Sequence, residues 1–139
     1  MGKINWARVI LGGLVAGVVI FLFEALYSLL MAQEWKTAMQ ALGRSMEETT
    51  TSMILAVVLT FGVGIAAVWL YAVARPRFGP GPKTAACTGV GYWFIGYAFP
   101  SIAWGMLVGF PTRLLVITIL WTLPEIVAAT LAGAWLYRE

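Results

Sequence analysis

The chain has 139 residues, of which 61% are hydrophobic and only 11% charged, with a net charge of +3. A mean hydropathy of +0.88, with far fewer charges than the roughly one quarter of an ordinary soluble domain, excludes a water-soluble globular protein and calls for lipid as solvent. The absence of histidine removes the usual haem ligand, the usual proton shuttle and most zinc site types. The basic residues flank apolar runs instead of forming a patch, which argues against nucleic acid as a partner.

Runs of about 20 apolar residues, each able to cross a hydrocarbon core of about 30 Å as a helix, occur at about Val9 to Met31, Met53 to Ala74, Ala85 to Val108 and Leu114 to Tyr137. The expected fold is therefore an all-α membrane protein, a four-transmembrane-helix bundle forming a single membrane domain over residues 1–139. The first run follows Lys3 and Arg8 as a secretion signal would. It is too long for one, and "LLMAQE" lacks the small residues of a cleavage site, so it is expected to be retained. Lys3, Arg8, Arg75, Arg77, Lys83 and Arg138 fall on one side of such a bundle, and Lys36, Arg44 and Arg113 on the other. The excess of positive charge then places both termini in the cytoplasm. Trp6, Trp35, Tyr71, Trp135 and Tyr137 lie near span ends, where amphipathic rings suit the interface.

In the first outer connection, Trp35, Ala38, Met39 and Leu42 recur at i, i+3, i+4 and i+7. That spacing predicts a short amphipathic helix lying on the membrane surface, stopped by Gly43. Ser45 and Glu48 have the spacing of a capping box and predict the start of the second helix. The inner connection "RPRFGPGPK", with three prolines and two glycines, predicts a stiff non-helical linker, in which Arg75, Arg77 and Lys83 meet anionic headgroups at the membrane surface. Its spacing is not that of a phosphate-binding loop. "GFPTR" reads as a tight outer turn, and the single Cys87 as a small packing residue that has no partner for an internal disulfide. "AAVWLY" (Ala66 to Tyr71) and "AGAWLY" (Ala132 to Tyr137) echo each other at the ends of the second and fourth runs. The echo fits either two parallel helical hairpins or chance in a composition rich in Ala and aromatics.

At about 100° per residue, Gly13, Gly17, Ile20, Glu24 and Ser28 share one face of the first helix. Thr60, Gly64, Ala67 and Tyr71 do so in the second, Gly89, Tyr92, Gly96 and Ala103 in the third, and Thr118, Trp121, Glu125, Ala129 and Ala132 in the fourth. Small residues let membrane helices approach, and polar ones avoid lipid, so Gly13, Gly17, Gly64, Gly89, Gly96, Ala129 and Ala132 are expected to pack the helices. Pro100 and Pro124 each free a backbone carbonyl about a turn earlier and predict kinks over a polar interior.

Glu24 and Glu125 are the chemistry-bearing candidates, with Tyr27, Ser28, Tyr92, Thr118 and Trp121 around them. Inserting an acid at a span centre costs about 2.5 to 3.5 kcal/mol, which the remaining apolar residues absorb. No Lys or Arg lies well inside a span; Arg113 is nearest and is expected to snorkel inward. Without a cation, desolvation favours the neutral acid. The helical rise puts Glu24 about 10 Å and Glu125 about 16 Å from the outer ends. They either share a proton, water or cation, or act separately as hydrogen-bonded glue.

Asn5-Trp6, the Gly12 to Gly17 segment, Glu34-Trp35, Ala38-Met39, Ala41-Leu42-Gly43 and Gly81-Pro82-Lys83 together resemble a class of small bacterial membrane proteins of unknown function with four spans. The resemblance implies that layout and a bacterial cytoplasmic membrane, and no catalytic residue. The glutamate in the first of four helices is also similar to small multidrug exporters, although this chain is longer and adds an outer loop and Glu125. The expectation is a non-enzymatic integral membrane protein without cofactor or metal, in contact with the lipid bilayer, that oligomerises or serves a membrane-protein partner through a polar seam. The alternative is a proton-coupled carrier of a small cationic or amphipathic molecule, with Tyr92, Trp93, Tyr97, Trp104 and Trp121 lining its path. An intramembrane enzyme would have only two-carboxylate chemistry to draw on.

Overall fold

Apolar residues with few breakers in such a chain form helices, because in lipid each backbone N–H and C=O must be satisfied within its own segment. The computed structural model describes residues 4–45 and 47–137; Lys3 and Arg138, used above for orientation, lie outside them. Among the described residues the chain is entirely helical and without strands: α1 (Trp6–Ala41), α2 (Thr50–Phe78), α3 (Pro82–Trp93), a π-helical turn (Phe94–Ala98), α4 (Phe99–Val108) and α5 (Thr112–Leu136). Of these, α1, α2 and α5 are long and apolar enough to cross a membrane.

The third apolar run departs from the expected single helix. Pro100 has no N–H for the Gly96 carbonyl, and the ladder widens just before it, with the Phe99 N–H donating to the Phe94 carbonyl. Such a π-bulge splits the run into α3 and α4.

Three further expectations are corrected. The outer amphipathic helix is not separate: α1 runs unbroken for 36 residues, since nothing between Met31 and Ala41 is a helix breaker. Its Trp35, Ala38, Met39 and Leu42 side packs on Phe110 and Leu114 at the α4–α5 turn, not on a membrane surface. α1 does end at Gly43, where φ is +70°, with Gly43 and Arg44 N–H groups donating to Gln40 and Met39 carbonyls. The second helix starts later than Ser45 and Glu48, at a reciprocal cap in which Thr49 and Ser52 exchange side-chain-to-backbone hydrogen bonds of 3.0 and 3.1 Å. The inner linker is mostly helical, because α2 continues through Pro76 to Phe78 and Pro82 already occupies the first turn of α3, where its missing N–H costs nothing. Only residues 79–81 turn, on Gly79 and Gly81 with φ of +84° and +133°.

α1 packs between α2 and α5, α3 packs on α5 and α2, and α2 meets α5 across the centre. Glycine makes this possible. A Cβ on Gly64 of α2 would fall 2.5 Å from the Gly13 carbonyl oxygen and the Gly17 amide nitrogen, and one on Gly12 would fall 2.5 Å from the Gly133 carbonyl oxygen of α5. Gly89 lets α3 sit on Val127 and Thr130. Gly96 meets only the Tyr92 ring on its own helical path. Ala129 is buried, Ala132 half-buried, and the close approach on α5 falls at Gly133. Val9, Ala16, Ile20, Val68, Ile126 and Ala129 fill the core around these contacts.

The two echoing segments end side by side. The Tyr71 and Tyr137 rings stand edge-on, 6.1 Å apart. The Tyr71 hydroxyl accepts the N–H of Gly81, the N-cap of α3, and the Tyr137 hydroxyl accepts the N–H of Asn5, the N-cap of α1. Gly13 and Gly89 each lie eight residues after those caps, and their partners Gly64 and Thr130 each lie seven before the tyrosines.

At the end that carries the α1–α2 connection the helices part. Every residue of α2 from Thr50 to Leu59 is exposed, as are Ile102, Trp104, Met106 and Leu107 of α4. α1 and α5 stay together there, and α4 touches α5 at Gly105 and Leu115.

Gly64→Val and Gly133→Val force a side chain into backbone or core and are expected to destabilise the fold by about 1–3 kcal/mol, read from thermal unfolding in detergent. Gly62→Ala, whose Cβ meets nothing within 4 Å, is expected to be no less stable than the parent.

Candidate functional site

Beyond the glycine contacts, α1 turns Glu24, Tyr27, Ser28, Ala32, Trp35 and Lys36 along one face toward Thr118, Trp121 and Thr122 of α5. Between them lies a cleft of about 530 Å³, with Glu48 of the α1–α2 connection on its rim. From Glu24 to Lys36 the cleft follows α1 for about 18 Å at the helical rise. Lys36 and Glu48 thus mark the mouth, and Glu24 the deep end.

The walls are tied by directed hydrogen bonds. Thr118 donates its hydroxyl proton to the Leu114 carbonyl at 2.8 Å. The Tyr27 hydroxyl, 2.7 Å from Thr118 Oγ1, must therefore be the donor in that pair, and it accepts from Trp35 Nε1 at 3.0 Å. Trp121 stacks its edge on this wall, 5.7 Å from the Tyr27 ring and 5.9 Å from Phe23. Behind it Trp93 of α3 donates to Thr122 Oγ1 at 3.1 Å and to the Ile119 carbonyl at 3.2 Å, one residue before the Leu120 carbonyl that Pro124 leaves without an N–H.

Glu24 is half-buried and faces the cleft. Glu125, a turn below Trp121, is 0% exposed, and neither of its carboxyl oxygens has a hydrogen-bond partner among the described residues; nor does the buried Trp121 Nε1. Leaving such groups unsatisfied costs about 1–3 kcal/mol each, more when charged, so a polar group in this position needs a reason beyond packing. The neighbouring threonine hydroxyls of α5 are engaged elsewhere: Thr122 donates to Ile119 and Thr130 to Ile126. Glu24 and Glu125 lie within electrostatic reach of each other, and the Tyr97 hydroxyl within reach of both.

Five of the sequence candidates, Glu24, Tyr27, Ser28, Thr118 and Trp121, thus line one cleft, with Glu125 sealed beneath it. Tyr92 lies apart from the cleft, packed on the core and edge-on to Tyr97 at 6.5 Å. Trp104 is 57% exposed and is not among the residues that line the cleft. Arg113 does not snorkel toward the acids; it pairs with Glu34 at 3.2 Å on the surface. Arg77 and Lys83 are exposed, whereas Arg75 is turned inward over the Tyr137 ring at 5.6 Å. Cys87 is exposed instead of packed.

Trp35, Lys36, Thr122 and Glu48 join the site without having been expected there. The first two were legible: eleven residues separate Glu24 from Trp35, about three turns, so carrying the helical period past Met31 puts them on one face. No group of three His, Cys, Asp or Glu side chains able to hold a metal occurs among the described residues. No protein-family model, curated protein or solved structure matches the chain, and its activity must be argued from this cleft.

Tyr27→Phe removes the acceptor of Trp35 and the donor to Thr118. It is expected to lower stability by about 1–3 kcal/mol in thermal unfolding, while Trp104→Phe leaves the transition unchanged.

Proposed function

We propose that the chain is a multi-pass protein of a bacterial cytoplasmic membrane that binds a small cationic or amphipathic molecule against Glu24 and carries it in exchange for protons. In this reading α1, α2, the helical path from Pro82 to Val108 and α5 all cross the bilayer as two parallel hairpins, with both termini cytoplasmic. The matching tyrosine caps at Asn5 and Gly81 support the two-hairpin arrangement.

One observation carries the functional reading: an acid at the deep end of an open cleft, Glu24, with a second acid, Glu125, buried within electrostatic reach of it and without a hydrogen-bond partner among the described residues. Glue would need each carboxyl to bond a neighbouring hydroxyl; those of Thr118, Thr122 and Thr130 donate to backbone carbonyls instead, and neither Glu125 oxygen has a partner among the described residues. A pair of neighbouring carboxyls suits exchange, because a proton or a cation on one changes the field at the other. Aromatic faces of Tyr27, Trp35 and Trp121 suit a cationic head. The oligomerising or accessory role, with the acids in a passive seam, is the second reading, and the uncovered outer half of α2 is the feature that favours it.

Proteoliposomes carrying a pH gradient are expected to accumulate cationic substrates. Glu24→Gln should abolish both binding and flux, and Glu125→Gln should retain binding but lose the response to the gradient. Equal behaviour of parent and both variants across a panel of cations would replace the carrier by the passive seam. For orientation, an impermeant maleimide should label Cys87 in inside-out vesicles only, and Ala41→Cys in a Cys87→Ser background in right-side-out vesicles only.

A further inference from the structure

The cleft has two walls, not four. All its lining residues come from α1, α5 and the α1–α2 connection, and none from α2, α3 or α4. Neither α2 nor α4 closes it: the ten residues from Thr50 to Leu59 of α2 are exposed without interruption, and α4, held on Leu115 of α5 at Gly105, leaves Met106 and Leu107 80% and 82% exposed. These surfaces are apolar, with Met53, Ile54, Leu55, Val57, Val58 and Leu59 on α2. Among the described residues α2 and α4 make no contact with each other, so an apolar opening runs beside the polar groove. The groove's length of about 18 Å is more than half of a hydrocarbon core of about 30 Å.

With Glu24 ionised the groove carries one net negative charge, since Lys36 and Glu48 at the mouth offset each other. Tyr27 and Trp35 have their polar atoms engaged with each other and with Thr118, so what they offer a ligand is their ring faces. One acid flanked by aromatic faces recognises an ammonium head of single charge. An anionic head is opposed by Glu24 and Glu48. The gap alongside accepts an alkyl chain without taking it out of an apolar medium.

We propose that the ligand of the cleft is a single-chain, singly charged cationic amphiphile that enters sideways from the outer leaflet, its ammonium head descending the groove from Lys36 and Glu48 to Glu24 while its chain stays in the gap between the outer halves of α2 and α4. This rests on the carrier reading of the Glu24 cleft and adds to it the class of molecule and its route. The head never crosses bare hydrocarbon, and the chain never enters the protein. Chain length then contributes to binding through the bilayer, and a head without a chain has no purchase in the gap.

The test uses the full-length protein in lipid nanodiscs, titrated with dodecyltrimethylammonium and with tetramethylammonium and read by tryptophan fluorescence. Nanodiscs with the Glu24→Gln variant correct for plain partitioning of the long chain into lipid. Dodecyltrimethylammonium is expected to bind the parent at least about tenfold more tightly than Glu24→Gln, as loss of a charge-assisted contact predicts, and tetramethylammonium to show no saturable, Glu24-dependent signal. Equal, Glu24-dependent binding of both cations would overturn lipid-side entry and leave the carrier reading standing. Absence of Glu24 dependence for either would overturn both. A Leu55→Cys variant in the Cys87→Ser background adds an independent readout. Efficient disulfide formation between copies in the membrane would mean that a second copy fills the gap, and would overturn the proposal. Reaction with a lipid-soluble maleimide and no cross-link is the expected result.

Discussion

The architecture depends on the contact of α1 backbone with backbone on both of its sides. Gly13 and Gly17 admit α2 at Gly64, and Gly12, one residue round the helix, admits α5 at Gly133. Dispersion falls off steeply with separation, so three helices held this closely gain packing energy that no arrangement of larger side chains would replace. In lipid, where apolar helices gain nothing by hiding from the solvent, such contact is the main source of association. The grip is confined to the inner half. Past Gly17 and Phe61, α1 carries Phe21 and Leu22 and α2 carries Leu59 and Leu55, all exposed, and the helices separate. α1 and α5 remain together because a different set of contacts takes over, from Tyr27 and Thr118 to Trp35 and Phe110.

That change of mechanism along α1 accounts for where the polar residues sit. Glu24 lies two turns beyond Gly17, where α2 has left and α5 has not, so it is protected on one side and open on the other. Glu125 lies deeper on α5, opposite the tightly packed part of α1, and is enclosed completely. The two acids face different environments although the helices that carry them are neighbours, and this difference arises from the fold and not from any charged partner. Arg113, the one base close enough in sequence to matter, is held by Glu34.

The faces of the helices were legible because they depend only on the helical period and on which residues are small or polar. The placement of Gly13, Gly17 and Glu24 on one line of α1 follows directly from that. The helix ends were not legible, because their signals were local and were outweighed. Pro76 forfeits one hydrogen bond, to the Ala72 carbonyl, and leaves the rest of the ladder in place to Phe78, so it did not stop α2. Polar residues after Met31 did not stop α1, since Phe110 and Leu114, distant in sequence, give its extension a surface to pack on. An error of one residue turns a helix by about 100°, which is why Ala132 was expected where Gly133 stands. The widening at Phe94 to Ala98 was hidden for a related reason: Pro100 announces a fault in the ladder but not which side of it will give way.

Tyr71 caps α3 and Tyr137 caps α1 in the same manner, and the same counting can be carried toward the other end of the molecule. Glu24 lies as far beyond Asn5 as Pro100 lies beyond Gly81, and Glu125 as far before Tyr137 as Leu59 before Tyr71. The positions that hold two acids on α1 and α5 therefore correspond to a proline on α4 and a leucine on α2. At matching distances from the two tyrosine caps, one pair of helices carries charge and the other only shape, which gives the chain a polar side and an apolar one.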